Sequence, residues 1–189
     1  MLSADSPRLL IVSDLHGSPE SVSIMEQAIH ELRPELCVLL GDVLYHGPRN
    51  PLPPGYLPRD VARMLGELPI PIMAVRGNCD AEVDLALLPF PMPERLWLRA
   101  GKLSILALHG HTLLQGPLVP PPPPGSVILS GHTHLPVAET RDGLHWWNPG
   151  SITLPKQGFP RSYGFFAQGE FQIMDMHGHT FMRHRPAEA

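Results

Sequence analysis

"RLLIVSDLHG", residues 8–17, decides how the rest of the chain is read. The apolar run Leu9 to Val12 stops abruptly at Ser13, Asp14 and His16. A short apolar run bounded by polar residues reads as a buried strand, so an acid and an imidazole stand at its carboxyl end. Working outward, the pattern returns. "CVLL" leads into Gly41 and Asp42, and "IMAV" leads into Arg76, Gly77, Asn78, Cys79 and Asp80. Helical segments lie between. Ser18 is placed as an N-cap before Pro19, with Val22, Met25, Ile29 and Leu32 on one face and Arg33-Pro34 as the stop. Val61, Met64, Leu65 and Leu68 give a second helix that Pro69 closes. The β-α-β-α-β order favours parallel strands with helical crossovers.

The second half changes character. "RLWLR", "LSILALH", "SVILS", "PVAET", "LHWWN", "YGFFAQ", "EFQIMDM" and "TFMRHR" are short strand-like runs separated by turn signals such as Arg141-Asp142-Gly143. An α/β first half joined to a strand-rich second half predicts two mixed β-sheets packed face to face as a sandwich, flanked by helices. The length of 189 residues suits one domain spanning residues 1–189. Pro120 to Pro124 reads as an exposed polyproline loop. With His46 to Pro58, the segment Gly116 to Gly125 is expected to wall the pocket.

Bulk properties narrow the function. A net charge of −4 gives no reason to expect general nucleic-acid binding. No apolar stretch approaches a membrane span of about 20 residues. The opening residues show no signal peptide. The two cysteines make neither a disulfide framework nor a C-x-x-C zinc site, and Cys37 reads as a buried apolar residue. A cytoplasmic protein is the expectation. Homo-oligomerisation is left open: of Trp146 and Trp147, adjacent on a strand, one must face outward.

Chemistry gathers at the strand ends. Two later strands also run into polar clusters, "HGH" with His109 and His111, and "GHTH" with His132 and His134. Parallel strands bring their carboxyl ends to one edge, where open α/β sheets bind ligands. Acids, an amide and imidazoles delivered there suit borderline divalent ions such as Mn, Fe, Zn, Co or Ni. Seven candidate ligands exceed the needs of one ion, so two ions sharing a carboxylate fit better. Glycines beside Asp42, Asn78, His109 and His132 are read as letting the backbone turn sharply.

The ordered set "SDLHG", "GDVLYHGPRN", "AVRGNCD", "LHGH" and "GHTHLP…NPGS" resembles the calcineurin-like metallophosphoesterase superfamily, and within it the YfcE-type bacterial phosphodiesterases. The resemblance implies a dimetal centre, with Mn favoured. Asp14, His16, Asp42 and His134 would hold one ion, and Asp42, Asn78, His109 and His132 the other, with Asp42 bridging. It also implies phosphodiester hydrolysis of a small substrate by attack of a metal-bound hydroxide. Arg76 and Arg49 would help neutralise the phosphoryl charge, and His46 would contact substrate. In most relatives a histidine paired with an acid follows the Asn ligand. Here Cys79 and Asp80 stand there. A thiol is a poor proton donor to a leaving group beside an imidazole, so Cys79 is expected to fill the position without fully replacing its chemistry. A phosphomonoesterase, a nucleotide pyrophosphohydrolase and a non-catalytic scaffold like a retromer subunit are the competing readings.

Overall fold

The computed structural model describes residues 7–186; the opening residues read for a targeting signal lie outside that range. The first half alternates strand and helix: β1 (Leu9–Val12), α1 (Pro19–Leu32), β2 (Leu36–Leu39), α2 (Pro58–Glu67), β3 (Ile72–Ala74) and a single turn, α3 (Glu82–Leu85). Eight strands follow: β4 (Arg95–Ala100), β5 (Leu103–Leu108), β6 (Val127–Leu129), β7 (Pro136–Arg141), β8 (Leu144–Pro149), β9 (Ser162–Ala167), β10 (Glu170–Asp175) and β11 (Thr180–His184). They build two mixed sheets, one ordered β11-β10-β9-β1-β2-β3 and the other β4-β5-β6-β8-β7. Strands β1, β2 and β3 run parallel, as do β5, β6 and β8.

The two faces of β1 and β2 explain the layering. Leu9, Ile11, Leu36 and Val38 point between the sheets and meet Ile105, Val127, Leu129 and Trp147. Leu10, Val12, Cys37 and Leu39 point the other way, onto Val22, Met25 and Ile29 of α1 and Val61 and Leu65 of α2. Strands buried on both faces read as continuous apolar runs, which is why "LLIV" and "LCVL" lack alternation. Pro58 and Pro19 each begin a helix, where a missing N–H costs nothing. Ser18 occupies the N-cap position of α1 but makes no side-chain cap bond.

The α-helices cover one sheet only. On the second sheet, Leu106, Leu108 and Ile128 face outward and are covered by Leu113, Leu118 and Trp146 instead. Thus the segment Gly116 to Gly125 runs over the outer face of this sheet, where Leu118 packs. The tryptophans divide as alternation requires: Trp147 stacks on Phe171 in the core at 4.7 Å, and Trp146 turns outward under the Arg141 guanidinium at 4.8 Å.

Candidate metal centre

The carboxyl ends of β1, β2, β3, β5 and β6 meet at one edge. Asp14 follows β1, and its Oδ1 lies 3.3 Å from His134 Nε2 and 3.7 Å from His16 Nε2. Asp42 follows β2, and its Oδ2 lies 3.4 Å from His109 Nε2 and 4.0 Å from His16 Nε2. Asn78 Oδ1 is 3.1 Å from His109 Nε2. The His132 ring stands 5.1 Å from that of His109, and its backbone N–H donates to Asp14 Oδ2. His111 lies beside both rings, at 5.6 Å from His109 and 6.1 Å from His132.

Donor and acceptor roles show what this edge lacks. The Nδ1 atoms of His16, His109 and His134 lie 2.9, 2.6 and 2.5 Å from the carbonyls of Tyr45, Leu40 and Leu154. A carbonyl only accepts, so each Nδ1 carries a proton and each neutral ring presents its Nε2 lone pair to the site. The Nε2 atoms of His16 and His134 then face one another at 3.3 Å, acceptor against acceptor. Asp14 Oδ1, buried beside them, has no hydrogen-bond partner. Converging acceptors of this kind are satisfied by a cation. Groups of three able to hold one are Asp14, His16 and His134; Asp14, Asp42 and His109; and His16, Asp42 and Cys79. The third brings the cysteine sulfur into ligand range, which its place in the sequence did not signal.

The electrostatics show how strongly this edge draws positive charge. Burial alone would raise the Asp42 carboxyl, but His109 outweighs it and holds the group well below the usual carboxylate range. Asp14 is likewise lowered against its burial, by His134 and His109. Burial works against charge on His109, yet Asp42 and Asp14 push it up to about 9, so the Nε2 proton they favour is the one a metal ion would displace. Burial and the neighbouring His109 push His132 down to about 4.

The backbone is bent at the candidate ligands themselves. Asp14, His16, Asp42, His132 and His134 have φ of 59°, 49°, 54°, 66° and 60°, a left-handed region that Asp, Asn and His enter more readily than other side-chain-bearing residues. The neighbouring glycines serve in two ways. Gly41 has a positive φ of 90°. Gly77 and Gly131 instead permit close approach, because a Cβ there would overlap the carboxylate of Asp42 and the hydroxyl of Ser13.

The remaining sequence candidates are held as follows. Asp80 does not face the pocket: its carboxylate accepts from the backbone N–H groups of Asp42, Val43 and Gly77, each at 2.8 Å. It joins the β2 and β3 turns and so positions Asp42 and Asn78. Arg76 pairs with Glu82 at 2.7 Å and donates through Nε to the Asp80 carbonyl, so its charge is met within its own loop. His46 sits edge-on between Tyr45 and Tyr56, with a buried, unpartnered Nδ1. Arg49 is exposed. Cys79 is half-buried; its N–H donates to Asp42 Oδ1, its sulfur accepts from Asn78 Nδ2, and burial beside Asp42 pushes the thiol up to about 12.

Several positioning residues escaped sequence reading. The Ser13 hydroxyl donates to Asp14 Oδ2 at 2.6 Å. Ser151 Oγ donates to the Asp14 carbonyl and accepts from the N–H groups of Thr153 and Leu154. Asn148 donates to the Gly131 carbonyl and braces the turn that carries His132. For Asn148 and Ser151 the run "NPGS" at the end of β8 was the signal, a polar cluster after a strand like the others.

An edge of this composition on a two-sheet sandwich defines a class. Residues 8–169 match the calcineurin-like phosphoesterase superfamily domain, and the chain belongs to that family. More particularly, it is 40% identical to "Phosphodiesterase YfcE" of Escherichia coli K12 over 178 residues, covering 93% of this chain and 95% of that one. The solved structure of the E. coli YfcE phosphoesterase superimposes with a TM-score of 0.87 at 36% identity, over 95% of this chain and all (100%) of that one. Vacuolar protein sorting 29 of Cryptosporidium parvum, at 19% identity and a TM-score of 0.60 over 89% of this chain and 90% of its own, shares the fold alone.

Proposed function

We infer that this chain is a metal-dependent phosphodiesterase acting on small phosphodiesters, folded as one domain over residues 1–189. The observation that carries the reading is the convergence of imidazole Nε2 atoms on buried carboxylates, with Asp14 Oδ1 lacking a hydrogen-bond partner among the described residues. Asp14, His16, Asp42 and His134 are assigned to one divalent ion, and Asp42, Asn78, His109 and His132 to a second. Manganese is the proposed ion, with Fe, Zn, Co or Ni as substitutes; oxygen and imidazole donors accept all of them. Bound there, such ions lower the pKa of water and place positive charge at phosphoryl oxygens.

The chain's own residues set the stage. Asp80 fixes the turns of Asp42 and Asn78, and the Tyr45, Leu40 and Leu154 carbonyls fix three ring tautomers. Cys79 occupies the position where a proton donor to the leaving group would stand. A thiol is a weaker acid than an imidazolium, so Cys79 favours leaving groups that depart without protonation. The two unpaired cysteines, Cys37 and Cys79, suit a cytoplasmic setting.

Hydrolysis of bis(p-nitrophenyl) phosphate is expected to vanish in EDTA and return with Mn; no metal-dependent signal would favour the scaffold reading. Run against mono-aryl and nucleotide substrates, the same assay separates the phosphomonoesterase and pyrophosphohydrolase readings. Cys79→His should raise turnover of alkyl esters relative to aryl ones. If both classes respond alike, the thiol has no part in leaving-group chemistry.

A further inference from the structure

A second pocket lies at the opposite end of the sandwich from the metal edge. It is a cavity of about 640 Å³ at the amino ends of the parallel strands β5, β6 and β8, lined by Ser104, Ser126 and His145 among others. The same three strands deliver His109, His132 and Asn148 at their other ends, so the two sites are a strand length apart.

A directed hydrogen-bond chain leads into this pocket. The Trp147 indole N–H, which can only donate, gives its proton to His184 Nδ1 at 2.9 Å. His184 therefore carries its own proton on Nε2 and donates to Thr140 Oγ1 at 2.9 Å. The Thr140 hydroxyl proton then has His145 Nδ1 as its acceptor, at 2.8 Å. That order leaves the last proton of the chain on His145 Nε2. This atom has no partner among the described residues, although His145 is only 7% exposed. Burial keeps both rings below the ordinary histidine pKa, consistent with neutral imidazoles.

The surroundings define what the donor would meet. Lys102 and Arg185 stand at the pocket, and among the described residues its lining holds no carboxylate. Arg185 is partly engaged, with the Gln168 carbonyl at 2.9 Å and Glu170 at 3.7 Å. Phe166, Pro123 and Pro124 supply apolar walls. One neutral donor on a mostly buried ring and two cations suit a singly charged acceptor better than a phosphate dianion, which calls for several donors.

We propose that this pocket is a second ligand site, for a small monocarboxylate with a flat apolar body, its carboxylate on His145 Nε2 and its charge met by Lys102. The site stands independently of the metal centre. Benzoate is the probe, titrated calorimetrically into metal-loaded enzyme with orthophosphate present to block the metals. Benzoate is expected to bind under these conditions, and neutral benzyl alcohol is expected to bind more weakly. His145→Phe should weaken benzoate about tenfold or more and leave bis(p-nitrophenyl) phosphate hydrolysis unchanged. Lys102→Glu, on an exposed turn, should weaken it severalfold and serves if the first variant does not fold. Absence of benzoate binding, displacement by orthophosphate, equal binding of benzyl alcohol, or unchanged affinity in the folded variants would each overturn the proposal.

Discussion

The histidines at the metal edge and those between β7, β8 and β11 are built on opposite hydrogen-bond patterns. At the edge, carbonyls take the Nδ1 protons and turn every Nε2 lone pair of His16, His109 and His134 toward other acceptors. In the chain Trp147–His184–Thr140–His145, each acceptor meets a donor until the last atom. One residue type therefore does two jobs, and burial does not tell them apart. The direction of the protons does. Where acceptors converge, a cation is called for; where donors and acceptors alternate, only the last donor is left over for a ligand.

The largest expected effect tests the first half of that contrast. Asp42→Asn keeps the acceptor for the Cys79 N–H and tolerates the backbone angle, but removes the shared charge. Activity with saturating Mn should fall roughly 100-fold or more, while metal-free thermal stability falls modestly, because the pairing of the Asp42 carboxylate with His109 is lost. A variant that unfolds instead would mean the carboxylate is structural. Next comes Asp80→Ala, which strips three buried N–H groups of their acceptor. A loss of about 3 kcal/mol or more in denaturant unfolding is expected, with weaker Mn binding; a change under about 1 kcal/mol would show that the N–H groups find other partners.

The satisfied chain should respond more gently. Thr140→Val breaks two of its bonds and should cost about 1–2 kcal/mol with activity intact, since nothing in the chain touches the edge. The smallest effect is one of pH. Burial lowers His184 and His145; His145 adds to the lowering of His184, and Glu139 opposes it. The unfolded chain then takes protons near about pH 6.5 that the folded chain refuses. Their stabilising contribution is complete above that pH and is lost as pH falls. His184→Gln should therefore lose less in Tm than wild type between about pH 7.5 and about pH 5.5. Equal losses would place the acid sensitivity elsewhere.

These two regions also differ in how far the sequence revealed them. The edge was legible because each strand is a short apolar run whose end is marked by polar residues, so Asp14, Asp42, Asn78, His109 and His132 could be ordered without coordinates. The strands of the second half were legible from alternation and turn residues. The chain was not legible, because Thr140 meets His184 across 44 positions through the packing of β7 on β11. The anchoring role of Asp80 was hidden for the same reason: its partners at Asp42 and Val43 are backbone groups on another turn, and "GNCD" carries no mark of them. Arg76 looked available because Glu82 lies in a helix of four residues, too short for periodicity to announce. Nor does any pattern in the chain say that helices would cover one sheet and a proline-rich loop the other.

The left-handed backbone at five of the seven candidate ligands limits how this centre can be retuned. Anyone redesigning it for a softer or harder ion inherits a short alphabet, because a valine, threonine or isoleucine at Asp14, Asp42 or His132 would clash with its own main chain before any coordination is considered. Asparagine, aspartate, histidine and glycine remain. Selectivity would have to be engineered from the shell behind those positions, through Ser13, Asn148 and Ser151.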